Sequence, residues 1–270
     1  HGYLIMQFLS PLTNHRSDNY GIDRNLFAAE IVQAIKKTCG AEYPVIFRLC
    51  ADETLGDTHM KSGITIENAK ETARVLEKAG VDAFDVTGGT DDVIHLYVPS
   101  AYMLEGIEGC FVKYAEQIKS VVSVPVMTGG GIETPELAEK ILETSKIDML
   151  FIGRGLIADP EWMYKLETGR REQIRPCVKC VECGQRIVYE MEMRCSVNPL
   201  SGKEWKYLNE SEIPPARESR KVLVVGGGIA GMEAAKTSAL RGHEVPLVER
   251  TDRLGGTINI AAEPCFKYRF

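Results

Sequence analysis

Four of the eight cysteines fall within nineteen residues, at Cys177, Cys180, Cys183 and Cys195. Thiolates spaced C-x2-C-x2-C reach one centre from a single tight loop, and a later cysteine closes a four-sulfur shell. That spacing is the ferredoxin type of run for an iron–sulfur cluster. Zinc sites more often pair two C-x2-C knuckles farther apart. A disulfide pair calls for a secreted context that nothing else in the sequence supplies. Iron–sulfur is the expectation, and a zinc staple is the alternative.

A second chemical signature follows. The apolar run Lys221–Val225 leads into Gly226-Gly-Gly228-Ile-Ala-Gly231, and an acid, Glu249, lies eighteen residues past the last glycine. In a strand–turn–helix context these glycines let backbone approach a pyrophosphate at a helix N-terminus, and the acid accepts ribose hydroxyls. Gly255-Gly256 resembles the second glycine pair common in FAD proteins, so FAD is preferred over NAD at this site. Pro246 removes a ladder donor from the second strand and predicts irregular pairing there.

Two further glycine turns, Gly129-Gly130-Gly131 and Gly153-Arg154, end successive apolar runs. Exposed N–H groups with a guanidinium make an anion nest. The plainer alternative is a pair of ordinary tight turns. Arg48 ends another apolar run, where it faces a ligand or forms a structural ion pair.

The elements that must position these residues alternate. Helical spacing marks Leu26–Cys39, stopped by Gly40, and Thr65–Ala79, stopped by Gly80. Helices are also expected over about Tyr114–Ser120 and over Pro135–Ser145, with Pro135 suited to a first turn. Strands are expected at Val45–Phe47, Ala83–Thr87, Val124–Met127 and Met149–Ile152, and His1–Pro11 reads as a strand end running into a loop. Strand–helix alternation means parallel βαβ units, with an open doubly wound sheet as the alternative to a barrel. A full (β/α)8 barrel runs about 250 residues with its ligands at the strand C-termini. The expected fold is therefore α/β: the C-terminal part of a TIM barrel over 1–172, an iron–sulfur loop and connector over 173–220, and the start of a Rossmann-like domain over 221–270. The chain begins at His1 rather than Met and ends just after a domain-opening motif, which reads as a fragment at both ends.

Composition sets outer bounds. The chain has 270 residues, 44% hydrophobic and 26% charged, with a net charge of −6 and a pI near 5.5. That balance argues against nucleic acid as a main partner. No apolar run approaches the roughly 18–20 residues of a membrane span, and a reducing cytoplasm is the expected location. Cys39, Cys50, Cys110 and Cys265 are scattered without pairing logic.

The motifs together carry a resemblance. His1-Gly-Tyr3-Leu, Gln7-Phe-Leu-Ser-Pro11, Asn14 and Arg16-Ser-Asp18 resemble one end of the old yellow enzyme (NADH:flavin oxidoreductase) superfamily. Pro125–Ile132 and Gly153–Pro160 are similar to its FMN-phosphate strands. Arg175-Pro176-Cys177, the cysteine run and the nucleotide motif narrow the resemblance to the multi-cofactor branch, which includes 2,4-dienoyl-CoA reductase, 2-enoate reductase, bile-acid-pathway oxidoreductases and trimethylamine dehydrogenase. It implies FMN, a [4Fe–4S] cluster, FAD and NAD(P)H as electron donor, acting on a small unsaturated carbonyl or acyl-CoA. By position, Tyr3 is similar to the proton donor, and His1 to a residue that hydrogen-bonds the substrate carbonyl. His95 resembles a second active-site acid, although a loop histidine is more often a surface residue. Arg48 would face the flavin's pyrimidine edge, while Gly130, Gly131, Gly153 and Arg154 would hold the FMN phosphate. Gly226, Gly228, Gly231, Glu249 and Gly256 would hold the dinucleotide. Two departures stand out: Tyr20–Asn25 replaces the family's Y-G-G-S-x-E-N-R turn, and the third cysteine follows after two residues, as in amine dehydrogenases.

Overall fold

The computed structural model describes residues 3–54, 63–90, 98, 108–207 and 209–263. His1, His95 and Cys265 lie outside them. The chain divides into two compact units, with the changeover in sequence at Gly153–Arg154.

The first unit is a parallel sheet of four strands, β1 (Ile46–Cys50), β2 (Ala83–Thr87), β3 (Val126–Thr128) and β4 (Met149–Leu150), in the order β1-β2-β3-β4. Helices Ile66–Ala79, Val112–Lys119 and Pro135–Thr144 carry the chain from each strand to its neighbour. Sequence punctuation sets their ends. Thr65 caps the first through a reciprocal capping box with Asn68, and Gly80 closes it at φ 113°. Thr134 accepts the Leu137 N–H at 3.2 Å ahead of Pro135. One sheet face buries Phe47, Leu49, Phe84, Val86 and Val126 in a core shared with Ala69, Ala73, Leu76, Ala115 and Ile118. Helix Leu26–Cys39 adds Ala28, Ala29 and Val32 to it.

The other face carries a different row. Arg48, Asp85, Met127 and Met149 lie in register across the four strands. Strand alternation puts Ile46 on Arg48's side, and it is 60% exposed. Among the described residues β1 is one edge of this sheet.

Several expectations change. Residues Leu4–Leu9 form a helix rather than the tail of a strand, because Met6 and Leu9, three apart, both bury on one side. The Gln7 N–H donates to Tyr3 O at 3.0 Å, closing its first turn. β1 runs on through Leu49 and Cys50, so Arg48 sits inside the strand and not at its end. Helix Pro135–Thr144 stops one residue early, and β4 is only two residues long.

The second unit holds short helices Arg154–Ala158 and Trp162–Glu167, a 3-10 turn Arg171–Gln173, helix Glu182–Val188 and a 3-10 turn Glu210–Glu212. Then come β5 (Val224–Val225), helix Ile229–Leu240, β6 (Leu247–Val248) and helix Ile258–Ala261. β5 and β6 pair in parallel, but the ladder is broken: Lys221–Glu244 is an isolated bridge, and regular pairing resumes only at Val224–Leu247. The gap has a chemical cause. Glu244 N–H donates to Arg220 O and Val224 N–H to Pro246 O, at 3.0 and 2.9 Å, but Pro246 has no N–H to continue the series.

Candidate functional site

The cysteine loop is built by unusual backbone. Lys179 (φ 50°) and Val181 (φ 59°) are both left-handed, and no glycine relieves either. A β-branched residue in that region is an outlier costing roughly 1–3 kcal/mol. The turns swing the chain so that the N–H of Lys179 meets the Cys177 sulfur and that of Gly184 meets Cys183. Burial pushes both thiols up, and these N–H groups and the Arg154 charge pull the other way. Cys177 senses Cys180 and Cys183, and Cys183 senses Cys180 and Cys195, so the four sulfurs share one neighbourhood. They are not closed into a coordination shell. Among the described residues no group of three or more His, Cys, Asp or Glu side chains has metal-holding geometry. Cys180, exposed, instead lies 3.1 Å from Ser196 Oγ. The donor chemistry still fits a cluster, since N–H groups aimed at sulfur are the contacts that tune iron–sulfur centres.

The nucleotide turn is tight. Gly226 has φ 104°, and a Cβ on Gly231 would lie 1.9 Å from Gly226 O, so neither tolerates a side chain. Gly228 caps helix Ile229–Leu240. The second glycine pair closes onto the first: Gly255 N–H donates to Gly227 O at 2.8 Å, and a Cβ on Gly256 would lie 3.2 Å from Gly228 Cα. Glu249 accepts from Gly227 N–H at 2.7 Å and from Thr251 N–H at 3.0 Å. Those backbone donors, Thr251 first, hold its carboxyl at about 2. A pKa lowered from the ordinary 4.5 means the carboxylate persists above that value and is lost only as pH falls through about 2. The acid expected to read ribose is therefore also the brace of the glycine turn.

In the first unit, Gly130 (φ 98°) and Gly131 (φ 68°) turn the chain after β3. A Cβ on Gly130 would sit 2.7 Å from Cys110 Sγ, so glycine is required there for space as well as conformation. In the second unit, Arg154 opens a short helix, and its Nη1 is buried without a hydrogen-bond partner. Gly153 has open space around it.

Arg48 pairs with Asp85 at 3.5 Å and lies over the Phe151 ring at 5.2 Å. The ion-pair alternative for Arg48 is thus realised, and its side chain remains 49% exposed. Tyr3, 81% exposed, lines with Arg48 one largely apolar groove of about 750 Å³.

Two groups escaped the sequence reading. Asp85 has a buried, unpartnered Oδ1, and burial raises its pKa against the pull of Arg48. Its signal was a lone charge inside an apolar strand. The ion pairs that join Glu210 to Arg175 and to Lys236 gave no local signal, because their members are far apart in sequence.

With this geometry in view, the comparisons define the class. The chain belongs to the NADH:flavin oxidoreductase / NADH oxidase family, whose model matches residues 1–173. A second model, FAD dependent oxidoreductase, matches residues 221–266. Among curated relatives, the NADH oxidase of Thermoanaerobacter brockii is 45% identical over 268 residues, which are 97% of this chain and 39% of that protein. A solved complex of 2-naphthoyl-CoA reductase with 2-naphthoyl-CoA superposes with a TM-score of 0.85 at 32% identity, over 98% of this chain and 40% of that one. Histamine dehydrogenase from Rhizobium sp. 4-9 gives 0.85 at 30% identity, over 98% and 38%. The chain thus spans about two-fifths of the length of these proteins. The fold is α/β, with the first unit's parallel strands belonging to a (β/α)8 barrel.

Proposed function

We propose that the protein is an NAD(P)H-dependent reductase of an activated C=C bond in an enoate, enone or dienoyl-CoA. The observation that carries this reading is the cysteine loop, where left-handed Lys179 and Val181 turn the chain and the N–H groups of Lys179 and Gly184 face the Cys177 and Cys183 sulfurs. Cys177, Cys180, Cys183 and Cys195 would hold a [4Fe–4S] cluster. Gly226, Gly228, Gly231, Glu249 and Gly256 would hold FAD, while Gly130, Gly131, Gly153 and Arg154 would take the FMN phosphate. When bound, these groups would supply two-electron chemistry at the flavins and one-electron passage at the cluster, so that reducing equivalents from NAD(P)H could reach the alkene.

The chain's own residues supply the rest. Tyr3 gives the proton that the α-carbon needs. Arg48, set on the open sheet face and braced by Asp85, would present its charge to the flavin's pyrimidine edge. The largely apolar groove beside Tyr3 would receive the alkene. His1 and His95 keep the roles that the family resemblance implies.

A second reading, oxidation of an amine with electrons leaving the protein, is favoured by the two-residue spacing between Cys180 and Cys183. The likeness to histamine dehydrogenase adds to it. Anaerobic turnover of the full-length protein separates the two. With NAD(P)H as donor, members of an enoyl-CoA and enone panel should be consumed, one alkene per NAD(P)H. Cofactor bleaching by methylamines without NAD(P)H, and no alkene consumption, would establish the amine reading instead.

A further inference from the structure

One carboxylate oxygen in the second unit carries two cations from different parts of the chain. Glu210 Oε1 accepts from Arg175 Nη2 at 2.7 Å and from Lys236 Nζ at 2.6 Å. Arg175 stands two residues before Cys177, and Lys236 lies on the helix that the glycine turn begins. Glu210 itself opens a 3-10 turn capped by Asn209, whose Oδ1 accepts the Ser211 N–H at 3.0 Å.

The Arg175 end is fixed independently. Its own N–H donates to Asp159 Oδ2 at 2.8 Å, and its Nη1 to Ala158 O at 3.3 Å. The Asp159 side chain is 2% exposed and is neutralised by Lys165 at 2.6 Å. Asp159, Lys165, Arg175 and Glu210 line one polar cleft of about 450 Å³. Burial opposes the charge on Glu210, yet Lys236 and Arg175 hold its carboxyl below the ordinary value, so it is ionised where the enzyme works. Without that charge, the guanidinium and the ammonium that now share one oxygen would be left near each other uncompensated, and like charges repel.

We propose that Glu210 is a positioning residue that ties the nucleotide helix to the flank of the cysteine loop and so sets the electron path between them. The proposal rests on the relay reading above. Electron passage is steeply sensitive to separation, and Glu210 joins the two elements whose separation matters. Nothing in the sequence near Glu210 marks it for this, because its partners are 35 and 26 residues away.

The test uses the full-length holoenzyme and three variants: Glu210→Gln, Lys236→Met and the double. After anaerobic mixing with NAD(P)H, flavin bleaching reports hydride arrival, and the paramagnetic signal of the reduced cluster reports electron arrival. Iron and flavin content, the cluster's potential and the first bleaching step should stay at the parent's values. Cluster reduction should slow by about tenfold or more, the scale of loss expected from a small misplacement. The double variant should lose no more than Glu210→Gln alone, since both substitutions cut one link. Parent-like relay rates in Glu210→Gln overturn the proposal, as do additive losses in the double variant. Loss of iron or FAD from the variants also overturns it, because Glu210 would then hold cofactors rather than a path. A parent enzyme without a reducible cluster defeats the relay reading itself, and this proposal with it.

Discussion

Cys180→Ser in the full-length protein should strip iron from the loop and bring NAD(P)H-driven alkene reduction down to background. Serine oxygen is a poor substitute for thiolate, because its proton is held far more tightly and its donor atom is hard where iron–sulfur centres take soft ligands. Cys180 is the exposed member of the set, so the substitution leaves a surface contact rather than a cavity, and folding should be unharmed. Its present neighbour, Ser196 Oγ, can hydrogen-bond a serine equally well. Reduction of the nucleotide-side flavin by NAD(P)H should survive, since the glycine turn and Glu249 make no use of the sulfurs. Cys39→Ser, at an exposed cysteine outside the loop, should change neither iron content nor turnover. If Cys180→Ser retained iron and full turnover, the ligand assignment would fail.

Tyr3→Phe should lower alkene reduction by about 10²–10⁴-fold, the usual worth of a positioned proton donor. Tyr3 is 81% exposed and contributes only its backbone carbonyl to the first turn of helix Leu4–Leu9, so the loss of a hydroxyl should cost little stability. The effect should fall on one half-reaction alone. Flavin reduction by NAD(P)H should match the parent, while reoxidation by alkene slows, and substrate affinity should change little because the groove's apolar lining is intact. Equal slowing of both half-reactions would indicate a structural role for Tyr3 and remove it from the chemistry.

What the sequence revealed about the fold depended on range. Helices Leu26–Cys39 and Ile66–Ala79 were readable because their apolar faces repeat at helical spacing and glycine stops each one. Pro135 fixed a third helix start. The four parallel strands were placed to within three residues by short apolar runs ending in glycine or polar loops. Leu4–Leu9 failed because six residues are too few to show a period, and its burial is decided by packing against helix Leu26–Cys39. Arg48 was misplaced within its strand because Leu49 and Cys50 look like either strand or loop until Ala51 N–H is seen bonded to Thr87 O.

The candidate site was legible where its chemistry is local. Four cysteines in a short run and six residues from Gly226 to Gly231 announce themselves. The left-handed Lys179 and Val181 do not, because neither residue type favours that conformation and only the closed loop imposes it. Glu249 was found by spacing, although its hold on Gly227 N–H was not. Asp85 and Glu210 became visible only in three dimensions, through partners 37 or more and 26 or more residues away that sequence order separates.

The central claim is that the cysteine loop holds an electron-carrying cluster rather than a structural metal. Iron, acid-labile sulfide and zinc measured on the anaerobically purified full-length protein, alongside its visible spectrum before and after NAD(P)H, test this most directly. The account predicts iron and sulfide in equal amounts, with a broad visible absorbance beneath the flavin bands that bleaches on reduction. Zinc without sulfide, in a protein with no colour at the loop, would contradict it.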